Sequence, residues 1–290
     1  MRIPLPVVRA VVRAGSRPMG RPVPIGVQRA WLEAQSRLSR LPAGTTVERV
    51  VLGGRPAERV IGPVPDPSRS VLLVHGGAFI TCSPRTHRVV AAHLAHAAQA
   101  AVLVPDYRRA PEHPFPAAVD DADAALDELQ GTGAVSVFGD SAGGAIALLL
   151  ALRRRDEGRP APDALALVSP MTDLTLASAD ACQGPDPLLR RSWVRQGRDA
   201  FLAGADPRAA SPLHRDLRGL PPVLLHVSEH ERLRPEGEQL AVALRSAGVD
   251  VTVELLDGLW HDVHVHAHLV PEAAQALERM GTWLRQGAST

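Results

Sequence analysis

From position 46 onward, short apolar runs alternate with longer stretches in which apolar residues recur every three or four positions. The runs 71–74, 101–104, 135–138, 164–168, 223–227 and 251–255 are rich in Val and Leu and show no polar alternation. That pattern predicts strands buried on both faces of a sheet. Two earlier runs, 47–52 and 57–61, flank Gly53-Gly54 and read as a hairpin. Helical spacing covers 85–98, 117–130, 142–155, 235–247 and 271–285. Repeated strand–helix–strand units predict a mostly parallel eight-stranded sheet flanked by helices. Segment 172–212 interrupts the rhythm as a long insertion, with a helical stretch over 186–202. The expected division is therefore 1–45 and 172–212 as a helical cap, with 46–171 and 213–290 as the α/β core.

The first 40 residues differ from the rest. They carry eight arginines and one acid, Glu33. Val7, Val8, Val11 and Val12 are interrupted by Arg9, which leaves no apolar core long enough for a secretory signal. After a Pro-rich break, a second helix reads over 26–41. Val27, Ala30, Trp31, Ala34, Leu38 and Leu41 form its apolar stripe. The expectation is that this stripe docks on the core and the arginines face solvent, with no stable membrane insertion.

Composition narrows the chemistry. The 290 residues are 45% hydrophobic and 22% charged, the balance of a folded globular protein. A net charge of +1 argues against nucleic acid as a partner. All 32 basic residues are arginines, so chemistry that needs a lysine ammonium is excluded. Two isolated cysteines, Cys82 and Cys182, suit a reducing, cytoplasmic setting rather than a disulfide framework.

The strand at 135–138 runs into Gly139-Asp140-Ser141-Ala142-Gly143 and then directly into a helix. This is G-x-S-x-G in the strand–turn–helix setting it requires. The tight turn projects a serine hydroxyl above the sheet, where a helix N-terminus adds partial positive charge. A serine nucleophile needs a base, an orienting acid and an oxyanion hole. His75-Gly76-Gly77-Ala78-Phe79 follows the strand at 71–74, and its backbone N–H groups with that of Ala142 are candidate oxyanion donors. Downstream, Glu229 and Glu231 follow one strand, and His261 follows the last. Both positions lie at strand carboxyl ends, where a parallel sheet gathers its functional groups. His264 and His268 stand four apart, but no glutamate accompanies them in an H-E-x-x-H pattern, so no metal is expected.

Together with Asp106-Tyr107-Arg108-Arg109-Ala110-Pro111-Glu112, these motifs resemble those of the hormone-sensitive-lipase-like esterases, the bacterial family IV of lipolytic enzymes, within the α/β-hydrolase fold. The resemblance implies Ser141 as nucleophile, His261 as base and Glu231 as acid, with Glu229 second and Glu236 a distant third. It implies Gly76, Gly77 and Ala142 as oxyanion donors, no cofactor, and a small ester as substrate, with short to medium acyl chains favoured. A homodimer through the edge strand near Val251 is common in such relatives. Ala78 stands where the family has a third glycine, and its N–H remains usable if its φ is negative. Phe79, Met171, Trp193, Phe201 and Trp260 are the expected pocket walls. An amidase or formamidase on the same residues, or a non-catalytic ligand-binding relative, are the competing readings. The presence of His261 weighs against the latter.

Overall fold

A computed structural model describes residues 3–182, 184 and 186–286. Met1, Arg2, Gln183, Pro185 and 287–290, which fall within the expected cap and core segments, lie outside the described residues. The elements in chain order are α1 (Leu5–Gly15), α2 (Ile25–Ser36), β1 (Thr46–Leu52), β2 (Arg55–Ile61), β3 (Arg69–Val74), α3 (Arg88–Ala98), β4 (Ala101–Pro105), α4 (Ala117–Gln130), β5 (Ala134–Asp140) and α5 (Ala142–Asp156). They continue with β6 (Leu165–Val168), α6 (Ala177–Ala181), α7 (Arg191–Leu202), β7 (Val223–His230), α8 (Arg234–Ser246), β8 (Val251–Trp260) and α9 (Pro271–Gln286).

The eight strands form one sheet in the order β1-β2-β4-β3-β5-β6-β7-β8. β2 is antiparallel to both neighbours, and every later pairing is parallel. The absence of polar alternation has the expected cause. Leu72, Val137, Leu167 and Leu225 face a core built with α4, α5 and α8. Val71, Phe138, Val168 and Leu224 face a second core built with α3 and α9. β5 lies in mid-sheet, so the turn after it sits over the best-buried part of the molecule.

Three expectations need correction. β7 and β8 run past their predicted ends to His230 and Trp260, with a register irregularity near Ser228–His230. The helical stretch at 186–202 begins only at Arg191; before it, Asp186 accepts hydrogen bonds from the N–H groups of Leu188 and Leu189 and sets a turn. The third correction is larger. α2 stops at Ser36, and its apolar stripe faces outward. Val27, Trp31 and Leu38 are 54%, 42% and 81% exposed, whereas Gln28 is fully buried.

Polar partners decide this orientation. Gln28 Nε2 donates to the Val23 carbonyl at 2.7 Å and to Gln196 Oε1 at 2.9 Å, and its Oε1 accepts from Gly20 N–H at 3.1 Å. The adjacent Arg29 donates to the carbonyls of Ile80 and Ala110 and pairs with Glu112. Rotating α2 to bury its apolar stripe would leave these groups unpaired, at a cost of about 1–3 kcal/mol for each buried one. Gln28→Ala is therefore expected to lower stability by about 2 kcal/mol, read from the urea midpoint. A loss within about 0.5 kcal/mol would show that Gln28 does not hold α2.

Candidate active site

The chain leaves β5 through Ser141, whose φ of 49° and ψ of −117° are strained for a residue with a side chain. Its N–H donates to Val168 O at 2.9 Å, and its own carbonyl accepts from Met171 N–H at 2.9 Å, so both sides of the turn are tied to β6 and the chain beyond it. The flanking glycines are a packing requirement. A Cβ on Gly139 would sit 2.6 Å from Gly143 O, and one on Gly143 only 2.0 Å from Val74 O.

Three side chains from three strand ends meet here. Ser141 Oγ lies 2.9 Å from His261 Nε2, and His261 Nδ1 lies 3.0 Å from Glu231 Oε2. Glu231 is oriented by its second oxygen, which accepts from Ser228 N–H at 2.9 Å. Glu229 is instead exposed and accepts from Gly258 N–H at 2.7 Å. Glu236 is buried and accepts from the N–H groups of Thr172 and Asp173 at 2.9 and 3.0 Å. Burial pushes the Glu236 carboxyl up to about 8, so near neutrality it holds that turn largely as a neutral acid.

A further carboxyl group stands beside the imidazole. Asp262 Oδ2 is 3.2 Å from the same His261 Nε2 that faces the serine, and its Oδ1 has no hydrogen-bond partner among the described residues. Burial by itself would lower the affinity of His261 for a proton. Asp262 and Glu231 together outweigh it and hold the imidazole well above its ordinary range. Neither the motifs nor the strand pattern pointed to Asp262. Its position directly after His261 was the available signal.

The loop after β3 is fastened from below. Asp140 accepts from Gly76 N–H at 3.0 Å and lies 3.1 Å from His87 Nε2. Burial pulls the His87 imidazole down, and the adjacent Asp140 carboxylate raises it above its usual value. Tyr107 OH donates to His75 O at 2.7 Å, and the two rings stack 4.3 Å apart. Gly76 N–H, expected as an oxyanion donor, is thus already committed to Asp140. The N–H groups of Gly77 and Ala78 make no hydrogen bond to the described residues. Ala78 has a φ of 51°, opposite in sign to the condition set on its N–H; the positive value strains the alanine, but the N–H has no partner among the described residues and stays available to donate. The Ala78 carbonyl presses on α7, where a Cβ on Gly197 would lie 2.0 Å from that oxygen.

Ser141, His261 and Asp262 line a cavity of about 260 Å³, with Gly77, Ala78 and Trp193 also in its wall. Of the five expected wall residues, only Trp193 lines it. Phe79 and Phe201 stack on each other at 4.0 Å within the core, and Met171 is buried in the same core. Trp260 is the last residue of β8, fully buried, with the Arg9 guanidinium 5.8 Å above its ring. Adjacency to a catalytic position in sequence does not set direction, because successive strand residues point to opposite faces. Among the described residues no group of three His, Cys, Asp or Glu side chains is arranged to hold a metal. His264 is buried against His226 at 3.1 Å, and burial lowers its imidazole to about 3.

Residues 71–265 match the family model described as the alpha/beta hydrolase fold. The chain belongs to the hormone-sensitive-lipase-like branch of the α/β-hydrolase family. It is 40% identical to an acetyl-hydrolase of Streptomyces hygroscopicus over 88% of both chains. It is 33% identical to the esterase LipU of Mycobacterium tuberculosis over 96% of this chain and 98% of that protein. Among solved structures, EstE5 soaked with p-nitrophenyl butyrate superposes with a TM-score of 0.90 at 35% identity over 97% of each chain. An esterase from the bacterial hormone-sensitive lipase family superposes at 0.91 and 32% identity, with full coverage of both chains.

Gly197 tests the packing of the loop after β3. Gly197→Ala must push either α7 or the Ala78 loop aside. The expected outcome is a loss of esterase turnover of at least about tenfold, because misplacement by about 1 Å is enough to disturb a catalytic arrangement. Nitrophenyl ester kinetics on folded protein provide the measurement, and unchanged turnover would separate that contact from the site.

Proposed function

We propose that this chain is a serine carboxylesterase that hydrolyses short- to medium-chain carboxylic esters through an acyl-enzyme on Ser141. The observation that carries the reading is the 2.9 Å approach of Ser141 Oγ to His261 Nε2, with Glu231 at 3.0 Å behind the ring. His261 takes the serine proton as Oγ attacks the ester carbonyl. Glu231 holds the Nδ1–H tautomer and stabilises the imidazolium that forms. The oxyanion is stabilised by the N–H groups of Gly77, Ala78 and Ala142, the last at the N-terminus of α5. Collapse expels the alcohol, to which His261 returns the proton. Water then attacks the acyl-enzyme by the same route.

In this reading, residues 1–45 and 172–212 form a cap over the core of 46–171 and 213–290. Residues of α1, α2 and α7 contribute walls to the cavity that holds Ser141. At about 260 Å³ it lies below the roughly 300–1,000 Å³ usual for ligand pockets, which supports short acyl chains. The named activities of the relatives, ester and acetyl hydrolysis, agree with this chemistry.

Ser141→Ala is expected to lower kcat/KM for p-nitrophenyl butyrate by at least about 10⁴-fold. Retention of near wild-type turnover would overturn the reading. The pH profile carries a second test. The base must be neutral, and Asp262 favours its protonated form. Activity should therefore fall, as pH decreases, through a limb lying above the ordinary histidine value of about 6.5. Asp262→Asn removes that influence and should move the limb to lower pH. A limb that stays in place would show that Asp262 does not act on His261.

A further inference from the structure

The outward faces of α1 and α2 are apolar where a helix packed on a protein core is normally polar. α1 buries Val8 and Val12, yet turns Val7 and Val11 outward at 50% and 61% exposure, with Ile3 just before it at 43%. The outward residues of α2, Val27 and Trp31, stand four apart and so share one face, which Leu38 continues beyond the helix end. Trp31 Nε1 donates to Gly15 O at 2.8 Å, which joins the end of α1 to the middle of α2 and sets the Trp31 ring about one helical turn from the exposed Val11. Among the described residues, six of the ten exposed large apolar side chains fall within residues 3–38. Exposed apolar residues scattered singly need no explanation, but a contiguous group marks a surface that meets a partner.

The location of this face matters as much as its composition. Val11 and Leu38 belong both to it and to the wall of the cavity that holds Ser141 and His261. Whatever covers the face therefore also covers part of the wall of that cavity. Its charge is one-sided. Arg13, Arg17, Arg21, Arg37 and Arg40 are exposed, and among the described residues none has a carboxylate partner. Glu33, the one acid of this segment, is turned toward Ser83 and Arg85. The whole chain is only +1, so this excess of positive charge is local.

We propose that the outward face of α1 and α2 docks reversibly on an anionic lipid surface, with its apolar side chains in the interface and its arginines at the headgroups, so that the ester enters the cavity from the lipid side. The proposal rests on the esterase reading above and adds the source of the substrate. Apolar side chains of interfacial helices sink roughly 5–10 Å into the headgroup boundary, and anionic lipid adds attraction. No described helix is long and apolar enough to cross a membrane, so contact of this kind stays on the surface. A second copy of the chain is a poorer occupant. In a two-fold contact the same patch meets itself, which would set each chain's unpaired arginines against the other's.

The test is flotation of the full chain with vesicles of phosphatidylcholine containing about 30% phosphatidylglycerol, against phosphatidylcholine alone. Binding to the mixed vesicles is expected to be at least about tenfold stronger, to weaken with added salt, and to shift the emission of the exposed Trp31 to the blue. Val7→Asp/Val27→Asp changes exposed positions outside the cavity wall. It should lower binding by at least about tenfold and leave turnover of soluble p-nitrophenyl acetate within about twofold. Arg17→Glu/Arg37→Glu should remove most of the preference for anionic vesicles. A wild-type chain that hydrolyses the soluble ester but does not float with either vesicle overturns the docking and leaves the esterase reading standing. A lipid-free dimer that Val7→Asp/Val27→Asp dissociates assigns the face to a second copy, and also overturns it. Flotation without hydrolysis of any ester would sink the esterase reading instead.

Discussion

The backbone turn at Ser141 is the constraint on which the site depends. A φ of 49° with a ψ of −117° costs about 1–3 kcal/mol for a residue with a side chain. It persists because the hydrogen bonds to Val168 and Met171 and the close contacts of Gly139 and Gly143 leave the chain no other path. β5 lies in the middle of the sheet, with packed cores on both faces. Relaxing the turn would disturb that packing, which offsets the strain. The hydroxyl is thereby held at a defined height, and the other groups are arranged relative to it.

Carboxyl groups do much of that arranging, each through a different contact. Asp140 ties the loop after β3 to the turn through Gly76 N–H and the His87 ring. Glu231 fixes one side of the His261 imidazole. Asp262 approaches the other side and favours the charged ring. Glu236, held near neutrality as an acid by burial, secures the turn at Thr172 and Asp173. Burial makes each contact consequential, since an unpaired polar group is costly where water cannot reach it. His261 is accordingly placed by opposing influences, and its proton affinity reflects all of them.

The same cost of unpaired polar groups shapes the surface. α2 could have buried Val27 and Trp31. It buries Gln28 instead, because Gly20, Val23 and Gln196 need the partners that Gln28 supplies. The apolar stripe then remains outside, beside the cavity wall at Leu38. An orientation set by hydrogen bonding thus leaves an apolar, arginine-bearing face that shares Val11 and Leu38 with the wall of the cavity.

The amino-acid pattern alone determined the eight-stranded, mostly parallel sheet, its helices and the family. These follow from local periodicity and from motifs such as the one around Ser141, where close contacts at Gly139 and Gly143 leave no room for a side chain. The strand ends that carry Ser141, Glu231 and His261 were legible for the same reason. What tertiary structure decided is direction. Phe79 and Trp260 stand beside motif residues in sequence but turn into the core. Gly76 loses its N–H to Asp140, Asp262 gains a place beside His261, and α2 is rotated by partners far away in the chain, such as Gln196. A period of 3.6 identifies an apolar face but not which side the core occupies. That depends on long-range polar contacts, which leave no periodic trace in the sequence.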